Sequence, residues 1–153
     1  MKRKLNWVDI LIIVIIVGFI YGGYKYVIKP KDTVMDKVPV EVTYRVQSVL
    51  IETANSIKVG DVFKDKDTNQ VIGEVVNKEI TESYDFVNTG DGRIVKSKKP
   101  DKYDVYLTIR GDAVVTDDYI RMGGRDMRIE STVFLKSNIS SVESKVMAIE
   151  VFK

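Results

Sequence analysis

Apolar and polar side chains alternate with a period of two in two widely separated stretches of this chain. The apolar faces consist of Val40, Val42, Tyr44 and Val46 in VEVTYRVQSV, and of Tyr103, Val105, Leu107 and Ile109 in YDVYLTIRG. This alternation is typical of β-strands that are buried on one face and solvated on the other. We therefore expect these stretches to form strands of a β domain.

Further strand-like runs follow in the second half of the chain. They are residues 71–80, YDFVN and RIVKS on either side of TGDG, MRIESTVFLKS, and VMAIEVF. The Gly-Asp-Gly tip at residues 90–92 is ordinary hairpin chemistry. Seven or eight strands in about 115 residues predict a small all-β domain, either barrel-like or a sandwich.

The chain repeats itself at an offset of 63 residues. Between residues 40–60 and residues 103–123, four of 21 pairs are identical, which are Val42, Thr53, Ile57 and Gly60 with their counterparts. Alternation by itself would produce part of this match, but not the Thr, Ile and Gly at fixed places. We interpret the domain as two related halves, about 40–80 and 103–152.

The repeated residues have a shared structural interpretation as a turn. Each copy would hold a Thr that caps a short turn or helix, an inward-facing Ile, and a Gly with positive φ where the chain reverses. The six residues are Thr53, Ile57, Gly60, Thr116, Ile120 and Gly123.

An apolar run precedes the β domain. From Val8 to Val27 it has twenty residues, with charges only near its ends at Asp9 and Lys25. Twenty helical residues span roughly 30 Å, enough for a bilayer core. We predict a transmembrane anchor in residues 1–29, a linker in 30–37 and the β domain in 38–153. A cleaved signal peptide is the alternative, although no A-x-A-like site follows the run.

The anchor also predicts topology and self-association. Basic residues flank both ends of the run equally, but the compact N-terminal cluster favours a cytoplasmic N-terminus and an extracytoplasmic domain. Gly18 and Gly22 form a G-x-x-x-G spacing that allows close helix–helix contact. This spacing suggests a homodimer through the membrane helix, whereas the frequency of glycine in such helices offers a simpler explanation.

Charge and composition exclude several classes of function. Five of the 24 Lys and Arg residues and one of the 22 Asp and Glu residues precede Pro30, so the remainder carries a net charge of −2. A nucleic-acid partner is therefore not expected. The chain has no Cys and no His, which excludes thiol nucleophiles, Cys metal sites and His-based catalysis. We expect no cofactor.

Three weaker patterns could carry chemistry. Asp65, Asp67 and Asn69 match the first half of a calcium loop, although Gln70 and Val76 stand where that loop needs Gly and Glu. Asp117 and Asp118 are paired acids, although they fit the start of a helix better. A Ser/Lys dyad would draw on the serines and lysines of one segment, Lys136, Ser137, Ser140, Ser141, Ser144 and Lys145. A polar turn or loop is the favoured explanation of the first and third patterns.

One family shares these features. NWVDILIIVIIVGFIYGG, the VEVTYRV strand and IKVGDVFKDKDTNQVIGEVV together resemble the bacterial membrane-protein family called domain of unknown function 4330. The resemblance implies a single-pass envelope protein with a small soluble domain, and it supplies no catalytic residues.

The sequence thus favours a membrane-anchored envelope module that binds or scaffolds other proteins, such as an accessory of export or surface assembly, and is not an enzyme. Its partners would be the lipid bilayer and other envelope proteins. The alternative is an anchored hydrolase of Ser/Lys or carboxylate type. An exposed apolar patch or open strand edge would favour the module, and a concave pocket with convergent polar groups would favour the enzyme.

Overall fold

A computed structural model describes residue 7, residues 11–18 and residues 36–152. The chain divides into two compact units, residues 1–35 and residues 36–153. In the first unit, residues 11–18 are helical. Among the described residues, no helix has the length and apolar character needed to cross a membrane. Most of the predicted span, 8–27, lies outside the described residues, as does Gly22, so the membrane anchor stays a prediction.

The second unit is built from eight strands and one short helix. The strands are β1 (Lys37–Val49), β2 (Val62–Asp65), β3 (Val71–Asn88), β4 (Ile94–Val115), β5 (Ile120–Met122), β6 (Arg125–Met127), β7 (Thr132–Lys136) and β8 (Ser141–Val151). The short helix, Ile51–Ser56, follows β1. Every strand pairing is antiparallel. The predicted small all-β domain is confirmed.

Six of the strands form a closed sheet. The sheet order β1-β8-β7-β2-β3-β4 is completed by pairing of β4 with β1, from Lys37↔Val114 to Val49↔Tyr103. The hairpin of β5 and β6 extends β4 beyond this ring. Closure leaves no free edge within the ring, so the backbone groups of a short domain are satisfied internally.

The alternating residues of β1 and β4 form much of the core. Val40, Val42, Tyr44 and Val46 are buried, as are Val105, Leu107 and Ile109. The predicted inward faces are therefore confirmed, except that Tyr103 is only partly buried. The other large core side chains, supplied by both halves of the unit, are Ile57, Phe63, Ile72, Met122 and Leu135.

The neighbour relations in the ring are the same for two sets of three strands. Exchanging β1, β2 and β3 for β4, β7 and β8 leaves the order of the ring unchanged. Backbone hydrogen bonds repeat in the same way. Gly60 N donates to Val75 O and Glu130 N donates to Val146 O, both at 2.8 Å.

A second pair of hydrogen bonds extends this equivalence. Val75 N donates to Asp61 O, and Val146 N donates to Ser131 O, both at 3.0 Å. The residue corresponding to Gly60 is therefore Glu130, at an offset of 70, and not Gly123 as the sequence suggested. The offset differs because a short helix follows β1, whereas a longer turn and hairpin follow β4.

The predicted turn residues have different local structures in the two halves. Gly60 and Gly123 have the expected positive φ, +95° and +59°. Thr53, however, lies inside the short helix, whose N-cap is Leu50 without a side-chain hydrogen bond. Thr116 caps a turn instead, since its Oγ1 accepts a hydrogen bond from Tyr119 N at 3.1 Å. Ile57 is buried and Ile120 is partly buried.

Asp117 and Asp118 start no helix, because the backbone passes from this turn directly into β5. Strands β3 and β4 are also much longer than the sequence indicated. The runs interpreted as separate strands join, because bulges at residues 75–77 and 82–84 of β3 interrupt the alternation without ending the pairing. Beyond the ring, residues 84–88 and 94–98 pair with each other as a protruding hairpin, which we call the arm.

Candidate functional site

A bulge in β1 creates a polar cluster where the arm leaves the ring. Pairing between β1 and β4 shifts between Val46 and Val49, so two residues of β1 stand opposite Asp104. Ser48 lies in this bulge with a φ of +54°, a conformation that a non-glycine residue adopts only when its surroundings enforce it. The bulge turns Ser48 toward the arm.

Asp104 supports the bulge. Its carboxylate is buried and accepts hydrogen bonds from Arg45 Nη2 at 2.6 Å and from Ser48 N at 2.9 Å. Burial by itself would raise the pKa of Asp104, but the hydrogen bonds from Arg45, Ser48 and Ser83 outweigh it and hold the pKa below its ordinary value. Asp104 is thus a fixed anion that keeps Arg45 in place.

Two serines and a lysine complete the cluster. Ser48 Oγ lies 3.0 Å from Ser83 Oγ and 3.2 Å from Lys99 Nζ. A Ser/Lys contact of this length is what a Ser/Lys hydrolase needs. Lys99 Nζ also lies 3.3 Å from a carboxylate oxygen of Asp85. In the contact with Ser48, Lys99 Nζ is the donor and the serine oxygen is the acceptor.

The arm exposes apolar side chains on both of its faces. One face carries Tyr84 and Phe86 from β3 opposite Lys98 and Lys96 from β4, with Ile94 beside the tip. Phe86 and Ile94 are 72% and 68% exposed. Val87 and Val95 lie opposite each other on the second face and are 45% and 42% exposed. The tip, residues 89–93, is polar.

The charges of the arm are partly paired within it. Glu82 contacts both Lys98 and the Tyr84 hydroxyl, and the hydrogen bond from Lys98 holds the pKa of Glu82 below its ordinary value. Lys96 Nζ lies 4.3 Å from the centre of the Tyr84 ring. Phe86 N donates to Asp85 Oδ1 at 2.9 Å.

Two grooves meet at Arg45. The first has a volume of about 360 Å³ and lies between the arm and the ring. It is lined by Arg45, Thr81, Glu82, Tyr84, Phe86, Lys96, Asp104 and Tyr106. The second, of about 320 Å³, lies on the other side of Arg45 along β7 and β8. Both are open to solvent and offer mixed apolar and polar surfaces.

The serines and lysines suggested as a dyad near β7 and β8 have structural roles. Ser137 Oγ accepts hydrogen bonds from the backbone of Ile139 and Ser140 and closes the turn. Ser144 Oγ donates to Val133 O at 2.7 Å. Lys145 pairs with Glu130 at 2.9 Å. The structure thus places the Ser/Lys contact at Ser48 and Lys99 instead.

The suggested calcium ligands belong to a turn that is already supplied with a cation. Asp65 is buried, and its Oδ1 accepts from the backbone of Asp67 and Thr68, each at 2.8 Å. Arg125 Nε lies 2.9 Å from Asp65 Oδ2, and the same guanidinium contacts Asp67. Asn69 has a φ of +57° and donates its backbone N–H to Asp65 O. Within the described residues, no three acidic side chains converge as a metal site would require.

Sequence reasoning did not identify Arg45, Ser48, Ser83, Lys99 or Asp104 as a cluster. These residues come from three strands and meet only because of the bulge in β1. The sequence predicted a hairpin around TGDG, because apolar residues flank that turn. It did not show that the hairpin protrudes from the ring. The open strand edges follow from unequal strand lengths, which periodicity does not reveal.

Comparison with known proteins gives one match. A family model described as "Domain of unknown function (DUF4330)" matches residues 1–150. No curated protein and no solved structure matches the chain.

Proposed function

This chain belongs to the family described as domain of unknown function 4330, and from that premise we propose that it is a membrane-anchored envelope module that binds or scaffolds other proteins. The arm is the observation that supports this proposal. Its aromatic and aliphatic side chains are exposed on a protruding hairpin, where they add nothing to the core of the ring. Exposed apolar surface of this kind is typical of interaction sites.

The anchor is the second part of the proposal. The apolar run at residues 8–27 would cross the membrane once, with the N-terminus in the cytoplasm and the β domain outside. Residues 30–37 would form the linker between the anchor and the domain. Accessory roles in export or surface assembly fit such a module, whose partners would be other envelope proteins.

Reporter fusions test the anchor and its orientation. A reporter that is active only outside the cytoplasm, fused after Lys153, should be active in intact cells. A matched chain lacking residues 8–27 should lose this activity and leave the membrane fraction. Activity of a cytoplasm-only reporter in the full chain would reverse the orientation, and an unchanged distribution of the shortened chain would refute the anchor.

We also propose that the two halves of the domain derive from one duplicated unit. The unchanged ring order and the hydrogen bonds repeated around Gly60 and Glu130 support this history. A set of related sequences, aligned so that Gly60 matches Glu130 at an offset of 70 and Val75 matches Val146 at an offset of 71, would test it. The average identity between the two halves of each sequence should be higher at these offsets than at neighbouring ones. Equal identity at all offsets would contradict the duplication.

A Ser/Lys hydrolase is the second candidate because of the contact between Ser48 and Lys99. Purified full-length protein should then react with a serine-directed acylating probe. Ser48→Ala should abolish labelling, whereas Ser137→Ala, at a turn remote from Lys99, should not. Equal labelling of the two variants would exclude this chemistry at Ser48.

A further inference from the structure

The two edges of the arm differ in how well they resist pairing with another strand. The β4 edge, residues 94–102, contains Pro100 and four lysines, Lys96, Lys98, Lys99 and Lys102. Lysine and proline are the residues that protect exposed edges in natural sheets. The β3 edge, residues 84–88, reads YDFVN and has neither. Its neighbour β2 pairs only with residues 71–74, so in the described unit no strand lies beside it.

The hydrogen bonds of the arm fix which groups the β3 edge presents. Thr89 N donates to Arg93 O at 2.7 Å, so residues 89 and 93 form a hydrogen-bonded pair. Pairs alternate along an antiparallel ladder, and the backbone groups of Tyr84, Phe86 and Asn88 therefore point outward. In the single chain, the outward N–H of Phe86 is bonded to Asp85 Oδ1. An incoming strand would replace that bond with a carbonyl oxygen.

We propose that this edge pairs with the same edge of a second copy of the chain, around a twofold axis at Phe86. In this register Phe86 lies opposite Phe86 of the other copy, and Tyr84 lies opposite Asn88. These three positions are the outward-facing ones, so all of them can exchange hydrogen bonds. Asp85 lies opposite Val87, and no two like charges are opposed. Moving the axis by one residue to Asp85 would place two carboxylates face to face, which is destabilising.

The shape of the arm supports the same geometry. An antiparallel pair places the two rings of strands at opposite ends, with Gly90 of one copy opposite Glu82 of the other. A parallel pair would place two rings side by side at the strand spacing of about 4.8 Å, where they would collide. The tip of the arm is polar and its apolar side chains lie along the strand, which suits a neighbouring strand better than a lipid surface.

The pairing produces an isologous dimer, since both copies contribute the same surface. The second copy is thus a partner of the proposed binding module. This inference rests on the proposed function only because it assumes a binding role. The absence of cysteine makes the proposal directly testable, because a single introduced thiol has no second thiol in its own chain to react with.

The test is disulfide crosslinking of the full-length protein in broken cells, with the membrane and soluble fractions kept together. Phe86→Cys should give a disulfide-linked dimer, because residues opposite each other in a hydrogen-bonded pair have Cα atoms about 5.5 Å apart, within disulfide range. Ile94→Cys is the matched control, since its site is equally exposed and lies on the same face. In the proposed dimer the two Ile94 sites are three strand spacings apart, about 14 Å across the sheet, and are also displaced along the strands, so they should not link.

Mixed chains test the register. Co-expressed Tyr84→Cys and Asn88→Cys variants should form a crosslinked heterodimer more readily than either forms a homodimer. Equal linking of Phe86→Cys and Ile94→Cys, linking of Phe86→Cys to a different protein, or no linking of Phe86→Cys would each overturn the proposal. The readout in unfractionated broken cells requires neither membrane attachment nor a particular side of the membrane, so a failed topology test and a failed crosslinking test remain distinguishable.

Discussion

Gly60 and Glu130 occupy equivalent positions, and both have a positive φ although the residue types differ. Their φ values are +95° and +68°. Glycine adopts such values freely, whereas a residue with a side chain loses roughly 1–2 kcal/mol. A Cβ added at Gly60 would meet only Glu74 Oε1 at 3.8 Å, an ordinary contact. The cost at this site is therefore conformational and not steric.

Substitutions at these two positions should have opposite effects. Gly60→Ala should lower the free energy of unfolding by about 1–2 kcal/mol. Glu130→Gly should raise it by up to about 1 kcal/mol, because relief of positive φ exceeds the loss of a solvent-exposed ion pair with Lys145. Urea denaturation of both variants provides the measurement. Destabilisation by Glu130→Gly greater than that by Gly60→Ala would contradict the assignment.

Asp104 is the residue whose ionisation matters most for the bulge. Its pKa is lowered in the folded chain, so its contribution to stability is present above the ordinary range of an aspartate, near pH 4, and is lost as pH falls through the lower folded-state pKa. Asp104→Asn should cost about 2 kcal/mol at neutral pH, and this difference should shrink as the solution is acidified.

The matched control for Asp104 is Asp101→Asn. Asp101 is exposed, has a φ of +54° that Asn tolerates, and lies three residues away. Its substitution should leave both stability and its pH dependence unchanged. Denaturant midpoints measured from pH 7 to pH 3 would separate the two variants. A difference for Asp104→Asn that does not change with pH would remove the role given to its charge.

At the scale of elements, β3 and β4 approach most closely at two glycines. A Cβ added to Gly73 would lie 2.1 Å from Arg110 O, and one added to Gly111 would lie 2.0 Å from Ile72 O. Both distances are far below any real contact. The two longest strands can therefore lie this close together only because both positions lack a side chain.

Alanine at Gly73 or at Gly111 should disrupt the pairing of β3 with β4. We expect Gly73→Ala and Gly111→Ala each to lower the free energy of unfolding by at least about 2 kcal/mol, because the clash is with backbone that cannot move independently. Gly90→Ala in the hairpin tip is the control, since no atom lies within 4 Å of its added Cβ. Calorimetry that showed equal melting temperatures for Gly111→Ala and Gly90→Ala would argue against this close approach of β3 and β4.

At the scale of the whole molecule, the guanidinium of Arg125 links the β2–β3 turn to the β5–β6 hairpin through ion pairs with Asp65 and Asp67. Arg125 Nε lies 2.9 Å from the fully buried Asp65 carboxylate. Thr68 Oγ1 adds a hydrogen bond to Gly123 O at 2.6 Å. The segment suggested as a calcium loop and the glycine turn of the second half thus meet in one contact between the halves.

Removal of Arg125 should be costly because it leaves a buried charge unpaired. Arg125→Met should lower the free energy of unfolding by about 3 kcal/mol. Adding Asp65→Asn should recover part of the loss, because Asn retains an oxygen that can accept the turn hydrogen bonds and carries no charge. A double-mutant cycle measured by urea denaturation would quantify the coupling. Additive losses would show that the two side chains act independently.

The sequence by itself determined the class of fold and the inward faces of the central strands. Alternation at Val42, Tyr44, Leu107 and Ile109 requires half-buried strands whatever the topology, since a strand has only two faces. Positive φ at Gly60 and Gly123 was equally local, because it depends on the lack of a Cβ. The suggestion of two halves came from sequence as well, at an offset of 63, whereas the hydrogen bonds repeated at Gly60 and Glu130 lie 70 residues apart.

The tertiary structure alone decided ring closure, the true equivalence of Gly60 with Glu130, and the polar cluster at Ser48. Each depends on which strands become neighbours, and pairing between distant segments leaves no periodic mark in either of them. Glu130 illustrates the reason, since it holds a positive φ, against its own preference, where its N–H donates to Val146 O, sixteen residues away. The β3 edge of the arm is likewise open only because β3 and β4 are longer than the strands next to them in the ring.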